Sequence, residues 1–585
     1  MNFFKIMFAS MLGTLLTIVV ILFISIAIIA GIIAAASSPV ETVAQNSILR
    51  LSFDRTILDR EPGMPIFFDL GGAQKVNGLD EIIKNIKKAR DDNNIKGIYL
   101  DLTDIPAGIS TVSEIRSALA DFKTSGKFIY AYSSMLSQKA YYLSTVADKV
   151  YLNPQGGIFF KGINSEIMFL KGTLEKLDVK VQIIRHGKFK AATEPLFLDK
   201  MSPENRDQIT ALITDVWDAM VLGISESRGI SKTDLNAMAD DLSVQTADDA
   251  YTLKLVDSVI YMDQFLGILR TKLGLSETAA IPSITLDKYM NTPSKGKAGS
   301  GRDKIAVIYA QGNVIDGEGD DRSIGGDRFA KAIRKAREDK NVKAIVLRVN
   351  SPGGSALASD VILREIVLAN EEKPVVASFG DVAASGGYYI ACGARKIMAE
   401  PTTVTGSIGV WAAIPNMQGL LTNKLGITFD HAMTNKNADF ISVNRPLPAY
   451  QTALLQKEVD HIYDVFVGHV SNGRKISKEA VDSIGQGRIW SGTDAKALGL
   501  VDDIGGLTAA IDSAAKLAGI KDYRLTALPE QKDAITQIME DLFDSKTSSA
   551  LQKELGEDYR YYELLKDIRG IRGIQARMPF EITME

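Results

Sequence analysis

The second half of the chain alternates short apolar runs with longer amphipathic stretches. The short runs are rich in Val and Ile, which is typical of strands, while the longer stretches carry apolar residues at helical spacing. The pattern predicts a strand, a helix, a strand, a helix and a strand at 304–310, 326–340, 343–349, 357–371 and 374–379. This order predicts a parallel sheet with helices on its faces, where sites form at the carboxyl ends of the strands.

The N-terminus has a different pattern. Residues 7–36 contain no charged side chain, and a bilayer core needs only about 20 apolar residues in a helix. We predict a transmembrane anchor over 7–36, with residues 1–6 in the cytoplasm because Lys5 is the only charge before the run. The alternative is a cleaved signal peptide, because AAASS at 34–38 resembles a cleavage site, although the run is longer than a usual signal core.

Three pairs of matching segments indicate an internal repeat. The pairs are IKGIYLDLTDIPAG (95–108) with VKAIVLRVNSPGG (342–354), KAYYLSTVADKVYLNP (139–154) with GGYYIACGARKIMAEP (386–401), and ADDAYTLKLVDSV (247–259) with GTDAKALGLVDDI (492–504). The shift between the copies stays within 245 to 247 residues. Such a constant shift predicts two copies of one domain.

Length and composition agree with two domains, because 585 residues are too many for one hydrophobic core. We predict repeat domains over 49–285 and 304–520, a polar linker over 286–303, and a charged tail over 521–585 with helical periodicity at 530–546. The net charge of −4 gives no sign of nucleic-acid binding. No metal cluster, phosphate loop or nucleotide fingerprint stands out in the sequence, so no cofactor or metal is expected. The single cysteine, Cys392, excludes an internal disulfide.

The stretch DVAASGGYYIACG (381–393) places one serine and two glycines where a predicted strand turns into a predicted helix. Ser385 would lie near the helix N-terminus, where unpaired N–H groups and the helix dipole favour negative charge. This place suits a nucleophile that must form an oxyanion, and it also suits an ordinary tight turn. The glycine pair Gly353 and Gly354 follows another strand end, so it can meet Gly386 beside Ser385 in space.

The two copies differ at the positions that a serine nucleophile would need. The first copy has Gln138 where the second has Ser385, and it has Lys190 where the second has Ala438. Each copy thus retains one member of a serine–lysine pair, as expected of one site shared between two halves. A lysine between apolar flanks loses pKa and can act as a general base. Lys188 and Lys190 also fit a solvated basic loop.

A histidine base is the alternative to lysine. The four candidates are His186, His431, His461 and His469. No acidic residue that would orient an imidazole is evident near any of them in the sequence. A Ser-His-Asp triad therefore has weak support.

The motifs as a set resemble the signal peptide peptidase A family, also called protease IV, in its long tandem-repeat bacterial form. They are ASGGYYIA (384–391), NSPGGS (350–355), GKFKAATEP (187–195), TGSIGV (405–410) and the LVD repeats. The resemblance implies an α/β architecture of two tandem ClpP/crotonase-like domains after one transmembrane helix. It also implies a membrane-anchored serine protease that degrades cleaved signal peptides, assembles as a homotetramer and faces the periplasm from the cytoplasmic membrane.

Compared motif by motif, the resemblance implies Ser385 as the nucleophile, Lys190 as the general base and Ser407 as a residue that orients the lysine. The candidate oxyanion donors are the backbone N–H groups of Gly353, Gly354 and Gly386. Two other functions fit parts of the sequence. A crotonase-like acyl-CoA enzyme would need neither the anchor nor a serine at 385. A non-catalytic membrane scaffold would tolerate the loss of Ser385.

Overall fold

The computed structural model describes residues 2–36, 41–61, 76–293, 301–531 and 574–578. The first element is helix α1 (Asn2–Ala36), in which Phe3–Ile24 is long and apolar enough to cross a membrane by length and composition. The side chains of Phe3–Ile24 are unburied, which fits a helix of this length and composition. The helical stretch predicted at 530–546 lies outside the described residues beyond position 531.

The body contains 22 strands and 17 further α-helices among the described residues. The strands are β1 (Ser47–Leu51), β2 (Ile57–Leu58), β3 (Asn77–Gly78), β4 (Ile95–Leu100), β5 (Phe128–Leu136), β6 (Lys149–Ile158), β7 (Lys180–His186), β8 (Ser258–Val259), β9 (Ser283–Thr285), β10 (Lys304–Gln311), β11 (Asn313–Ile315), β12 (Ser323–Gly325), β13 (Val342–Ser351), β14 (Gly353–Ser355), β15 (Val375–Ala384), β16 (Lys396–Ala399), β17 (Val404–Gly406), β18 (Val410–Asn416), β19 (Ile489–Ser491), β20 (Asp503–Ile504), β21 (Arg524–Leu528) and β22 (Gln575–Arg577). The helices are α2 (Leu79–Asp91), α3 (Ile109–Lys123), α4 (Gln138–Ser144), α5 (Lys171–Lys176), α6 (Glu194–Phe197), α7 (Pro203–Arg228), α8 (Lys232–Asp240), α9 (Ala247–Thr252), α10 (Met262–Leu273), α11 (Leu286–Met290), α12 (Gly326–Glu338), α13 (Ala356–Glu372), α14 (Gly386–Ala391), α15 (Ala449–Arg474), α16 (Lys478–Ile484), α17 (Gly492–Ala497) and α18 (Leu507–Ala518).

Each half of the body has its own sheet of mostly parallel strands. The first sheet has the order β8-β6-β5-β4-β1-β9, and every pair in it is parallel. The second has the order β19-β17-β15-β13-β10-β21, with β16 and β20 attached beside β15. Only the β17–β19 pair of the second sheet is antiparallel. The α/β architecture with parallel sheets is therefore confirmed.

The predicted elements of the second half correspond to β10, α12, β13, α13 and β15. Eight of the ten residues of the central strand β13 are buried and the other two are half-buried, so both faces are covered, as in a parallel sheet flanked by helices. In α12 the buried residues Phe329, Ile333 and Ala336 recur at helical spacing, so one face packs on the sheet and the other meets solvent. Apolar periodicity thus explains both element types.

A third sheet, with the order β12-β11-β14-β22-β18-β7, combines segments from both halves. Its strand β7 comes from the first half and pairs antiparallel with β18 of the second half over seven residue pairs, from Val410 opposite His186 to Asn416 opposite Lys180. The segment that follows β7 is thereby brought to the carboxyl end of the second parallel sheet. The repeat pattern predicted two domains, but it contained no signal for this exchange.

Buried charged groups also join the two halves. Arg348 on β13 is fully buried and contacts Asp59 at 2.7 Å and Glu114 at 2.6 Å, both from the first half. Asp381 on β15 accepts hydrogen bonds from the backbone N–H and the hydroxyl of Thr111, at 3.0 and 2.6 Å. Burial raises the pKa of both Glu114 and Asp381. Arg348 is thus shared by two buried carboxyl groups, those of Asp59 and Glu114. Where no cation lies close to a buried carboxyl group, the free energy of burial is lower for its neutral form.

Glu400 is the member of this acidic region whose protonation we predict to affect stability. Burial, with the nearby charge of Glu114, raises the pKa of Glu400 to about 8. The folded protein thus holds a proton that the unfolded chain releases above about pH 4.3, so stability falls as pH rises from there to about 8, by up to ~1.4 kcal/mol per unit. We expect Glu400→Gln to raise the melting temperature at pH 8 and to flatten its pH dependence.

The matched control is Glu371→Gln at the exposed end of α13. Thermal unfolding followed by circular dichroism from about pH 5 to about pH 8 measures both variants. Equal pH dependence in wild type and Glu400→Gln would contradict the prediction.

Candidate active site

Ser385 lies at the sharp turn between β15 and α14. Its backbone has φ 55° and ψ −116°, a conformation that costs a non-glycine residue about 1–3 kcal/mol and that clusters at functional sites. The Ser385 N–H donates to the Gly406 carbonyl at 2.8 Å, and the residue is fully buried. The strained turn holds the Ser385 hydroxyl outside both the strand ladder and the helix, so the oxygen is free to meet another side chain.

That side chain is Lys190, which lies 195 positions away in the chain and is fully buried. Lys190 Nζ donates to Ser385 Oγ at 2.8 Å. The pairing of β7 with β18 produces this contact, because Lys190 follows β7 by four residues. The neighbouring Lys188 is exposed. The structure therefore brings together the serine of one copy and one particular lysine of the other.

Ser407 is the third residue of the cluster, and it also has a positive φ of 50°. Its carbonyl oxygen and its hydroxyl oxygen each lie 3.0 Å from Lys190 Nζ. The Ser407 hydroxyl itself donates to the Gly487 carbonyl at 3.3 Å, which leaves its oxygen lone pairs to accept from the lysine. In the ammonium form all three N–H groups donate, two to Ser407 and one to Ser385 Oγ. In the neutral amine the two N–H groups bond to Ser407, and the lone pair takes the third position and accepts from the Ser385 hydroxyl.

The surroundings of Lys190 favour this neutral amine. Burial lowers the pKa of Lys190 well below its ordinary value of 10.5. Among the described residues no carboxylate forms an ion pair with Lys190 that would oppose the effect. A neutral lysine within hydrogen-bond distance of a serine hydroxyl can accept its proton. The cluster has the geometry and the electrostatics of an activated nucleophile.

Three glycines lie next to Ser385. Gly353 and Gly354 have φ of 101° and 155°, which only glycine adopts readily. A Cβ on Gly386 would lie 3.0 Å from Gly354 N, and one on Gly353 would lie 2.6 Å from Gly386 N. Side chains are thus excluded at a place where the backbone nitrogen atoms of Gly354 and Gly386 lie close together. Convergent N–H donors beside a nucleophile can stabilise an oxyanion.

The histidines take other partners. His186 Nδ1 lies 2.7 Å from Asp460 Oδ1, and its ring stacks on Tyr463. His469 Nε2 lies 3.1 Å from Asp360. The sequence analysis was therefore wrong in finding no acidic partner for a histidine, because tertiary contacts supply both. Neither pair reaches the serine, since Ser385 Oγ bonds only with Lys190 and, at 3.5 Å, with the Gly409 carbonyl among the described residues.

The first copy has lost this chemistry at the corresponding place. Gln138 begins α4, as Ser385 precedes α14. Its amide nitrogen donates to the Gly162 carbonyl at 2.8 Å, and its oxygen accepts from the N–H groups of Lys161 and Gly162 at 2.7 and 2.8 Å. The Gln138 amide is thus bonded to the backbone of residues 161 and 162, and it offers no nucleophile.

Two residues that position the lysine were missed by sequence reasoning. A Cβ on Gly487, whose φ is 84°, would lie 2.6 Å from Lys190 Cβ. Gln208 on α7 donates to the Phe189 carbonyl at 3.1 Å and accepts from the Ile489 N–H at 3.2 Å, which ties the lysine segment to β19. For Gly487, the only signal in the sequence is the pair of glycines in GQGR (485–488). For Gln208, the sequence contains no signal.

Comparison with known proteins identifies the class to which this geometry belongs. The sequence pattern of "Peptidase family S49" matches residues 121–276 and 368–521. Protease 4 of Salmonella typhi is 37% identical over 496 residues, which are 83% of this chain and 79% of that protein. The chloroplastic serine protease SPPA of Arabidopsis thaliana is 33% identical over 507 residues, or 86% of this chain and 74% of that protein. The chain is a serine protease.

More particularly, the chain belongs to peptidase family S49, and its two matched regions agree with the tandem repeat. Solved structures match this chain with low TM-scores. ClpP1 from Listeria monocytogenes has a TM-score of 0.23 and 17% identity, covering 35% of this chain and 91% of that one. A mutant of the 1510-N membrane-bound stomatin-specific protease in complex with a substrate peptide has a TM-score of 0.27 and 16% identity, covering 41% and 98%. Membership of a serine protease family favours proteolysis over the acyl-CoA chemistry that the sequence left open.

We predict that Gly487→Ala lowers peptidase activity without unfolding the protein. The added Cβ must displace the Lys190 backbone, and a shift of about 1 Å in a reacting group can cost about 100-fold in rate. The control is Gly229→Ala at the end of α7, where φ is also positive, at 66°, but nothing lies within 4 Å of the new Cβ. Peptide hydrolysis and melting temperature measure both variants. Full activity in a folded Gly487→Ala protein would show that the contact does not position Lys190.

Proposed function

We propose that this chain is a membrane-anchored serine endopeptidase with a Ser385–Lys190 dyad, which degrades cleaved signal peptides at the outer face of the cytoplasmic membrane. The observation that carries the proposal is the 2.8 Å contact between a buried serine hydroxyl and a buried lysine amine. A lysine in this setting loses its proton readily, and its reach to Ser385 Oγ meets the distance requirement for a general base.

In the proposed mechanism neutral Lys190 takes the hydroxyl proton as Ser385 Oγ attacks the carbonyl carbon of a peptide bond. The tetrahedral intermediate collapses as the C–N bond breaks, and the Lys190 ammonium gives its proton to the leaving amine. Lysine, neutral again, then takes a proton from a water that attacks the carbonyl carbon of the acyl-enzyme ester. The bond between that carbon and Ser385 Oγ breaks, and the Lys190 ammonium returns the proton to Oγ. The products are a free carboxyl group and regenerated Ser385, so one water is consumed for each bond cut.

The neighbours of the dyad support this cycle. Ser407, through its hydroxyl and carbonyl oxygens, would hold the amine so that its lone pair faces Ser385. The backbone N–H groups of Gly354 and Gly386 would bind the oxyanion, with Gly353 allowing the close approach of the substrate backbone. Donors of this kind contribute about 10²–10³ in kcat when they act on the transition state alone.

Substrate and location are inferred from the anchor and from the resemblance of the motifs to signal peptide peptidases. Helix α1 would hold the body at the membrane surface, where spent signal peptides are released. Lys5 before the apolar run favours a cytoplasmic N-terminus and therefore an outer-face body. The proposed homotetramer is supported by a segment of exposed apolar side chains, which resembles an interaction surface: Leu425, Ile427, Phe429, Met433, Phe440 and Ile441.

The dyad predicts which single substitutions abolish activity. We expect Ser385→Ala and Lys190→Ala each to lower kcat on an apolar signal-peptide-like substrate by about 10⁴-fold or more, because members of one catalytic unit fail together. Lys188→Ala and His186→Ala are the matched controls and should stay within about threefold of wild type. Hydrolysis by the full chain in detergent is the assay. An inactive His186→Ala protein together with an active Lys190→Ala protein would show that His186, not Lys190, is the base. If wild type and all variants were inactive, a scaffold role would replace the proposed catalysis.

The pH profile gives a separate test of Lys190. Only the neutral amine accepts a proton, so kcat/KM should rise as pH increases through the pKa of Lys190, which burial places well below 10.5. We expect the profile to have an acidic limb and a plateau above it, with the plateau reached well below pH 10.5. Lys190→Arg, which stays protonated throughout, should be inactive across the profile. A flat profile in wild type would contradict lysine as the base.

A further inference from the structure

The groove next to the catalytic serine lies between two strand edges. On one side β14 carries Gly353 and Gly354, and on the other side β18 carries Trp411. Strand β22, from the C-terminal end of the chain, fills the space and pairs antiparallel with both: Gly354 lies opposite Ala576, and Trp411 lies opposite Gln575. Without an extended segment at this place, both edges would present unpaired backbone groups. The groove is therefore built to take a peptide as an added strand.

The register of β22 places one particular carbonyl at the candidate oxyanion hole. The Ala576 carbonyl oxygen lies 2.2 Å from the position that a Cβ on Gly353 would occupy, and 2.9 Å from that of a Cβ on Gly386. A Cβ built on Gly386 would also lie 3.0 Å from Gly354 N. The Ala576 carbonyl thus points into the group of glycines beside Ser385, where the carbonyl of a bond to be cut would lie.

Side chains of the same segment alternate in burial, as in a bound strand. Ala576 is fully buried and Met578 is 4% exposed, while Gln575 and Arg577 are half-buried. Met578 packs in an apolar cluster with Ile209, Leu212 and Ala384. Backbone contacts extend beyond the strand, since Met578 N donates to the Pro352 carbonyl at 2.6 Å and Trp411 Nε1 donates to the Arg577 carbonyl at 3.2 Å.

We propose that residues 574–578 are a built-in competitive inhibitor, which binds the substrate groove of its own chain with Ala576 in the position of the residue before the cut bond. The inference rests on the proposed function, because it takes the groove at Ser385 as the peptide-binding site. It also defines the substrate preference of that site as an extended segment with a small residue at the cut and an apolar residue two positions later.

An inhibitor within the chain competes at a constant effective concentration, whatever the concentration of the protein. A substrate must displace it, so the apparent affinity for substrate is reduced by the fraction of protein whose groove is free. Weak or scarce peptides are therefore excluded, while abundant or tightly binding apolar peptides gain access. A change that expels the segment should lower KM and leave kcat unaltered, because the catalytic groups are unchanged.

The test measures binding in a chain that cannot cut. Full-length Ser385→Ala in detergent is titrated against a fluorescein-labelled peptide with the sequence of residues 572–580, RGIQARMPF, followed by fluorescence anisotropy. This background keeps the C-terminal segment intact whatever wild type does to it. Adding Ala576→Asp puts a charge and extra volume in the buried position, and it should tighten peptide binding by about tenfold or more as the segment leaves the groove. The control, Ala576→Gly, should stay within about threefold of the parent.

Hydrolysis by chains that retain Ser385 completes the test. We expect Ala576→Asp to lower KM for the unlabelled peptide by about fivefold or more at unchanged kcat. Unchanged peptide affinity in the Ala576→Asp chain would overturn the inhibitor while leaving Ser385-dependent hydrolysis, and so the proposed function, standing. Conversely, tighter binding in the Ala576→Asp chain with hydrolysis independent of Ser385 would support the inhibitor and overturn the proposed dyad.

Discussion

One antiparallel strand pair determines whether this protein has a complete site. Strand β7 of the first half pairs with β18 of the second half along seven residue pairs, and Lys190 follows β7 directly. Without that pairing Lys190 would not reach Ser385, and Ser385 Oγ would have no side chain within hydrogen-bond distance among the described residues. Backbone hydrogen bonds, which carry no chemistry themselves, thus bring two reactive groups from distant parts of the chain to 2.8 Å.

The burial that lowers the pKa of Lys190 is costly, and the surroundings reduce that cost. An ammonium group without a carboxylate partner is unfavourable in the interior, so the amine is better accommodated as a neutral group with its N–H groups bonded to Ser407. Strain at Ser385 adds to the cost. The large apolar cores and the buried contacts of Arg348 with Asp59 and Glu114 hold the halves in one arrangement. A rigid frame is what allows a strained site to persist.

The two copies share one architecture but hold different residues at the position of Ser385. In the first, Gln138 bonds the backbone that surrounds it and stabilises a closed loop. In the second, the same position holds Ser385, beside the two strand edges of β14 and β18 between which β22 lies. Edges of this kind bind extended backbone irrespective of its source, and in this chain β22 pairs with both of them.

The sequence by itself determined the parallel α/β architecture, the tandem repeat, the apolar N-terminal helix and the candidate residues Ser385 and Lys190. These follow from local periodicity and from comparison of the two copies, which are properties of the chain in one dimension. Only the tertiary structure decided that Lys190 rather than Lys188 is buried, that His186 pairs with Asp460, that Gly487 makes room for the lysine, and that Ala576 lies at the glycines beside Ser385. Those facts depend on contacts between residues far apart in sequence, and local pattern does not encode such contacts.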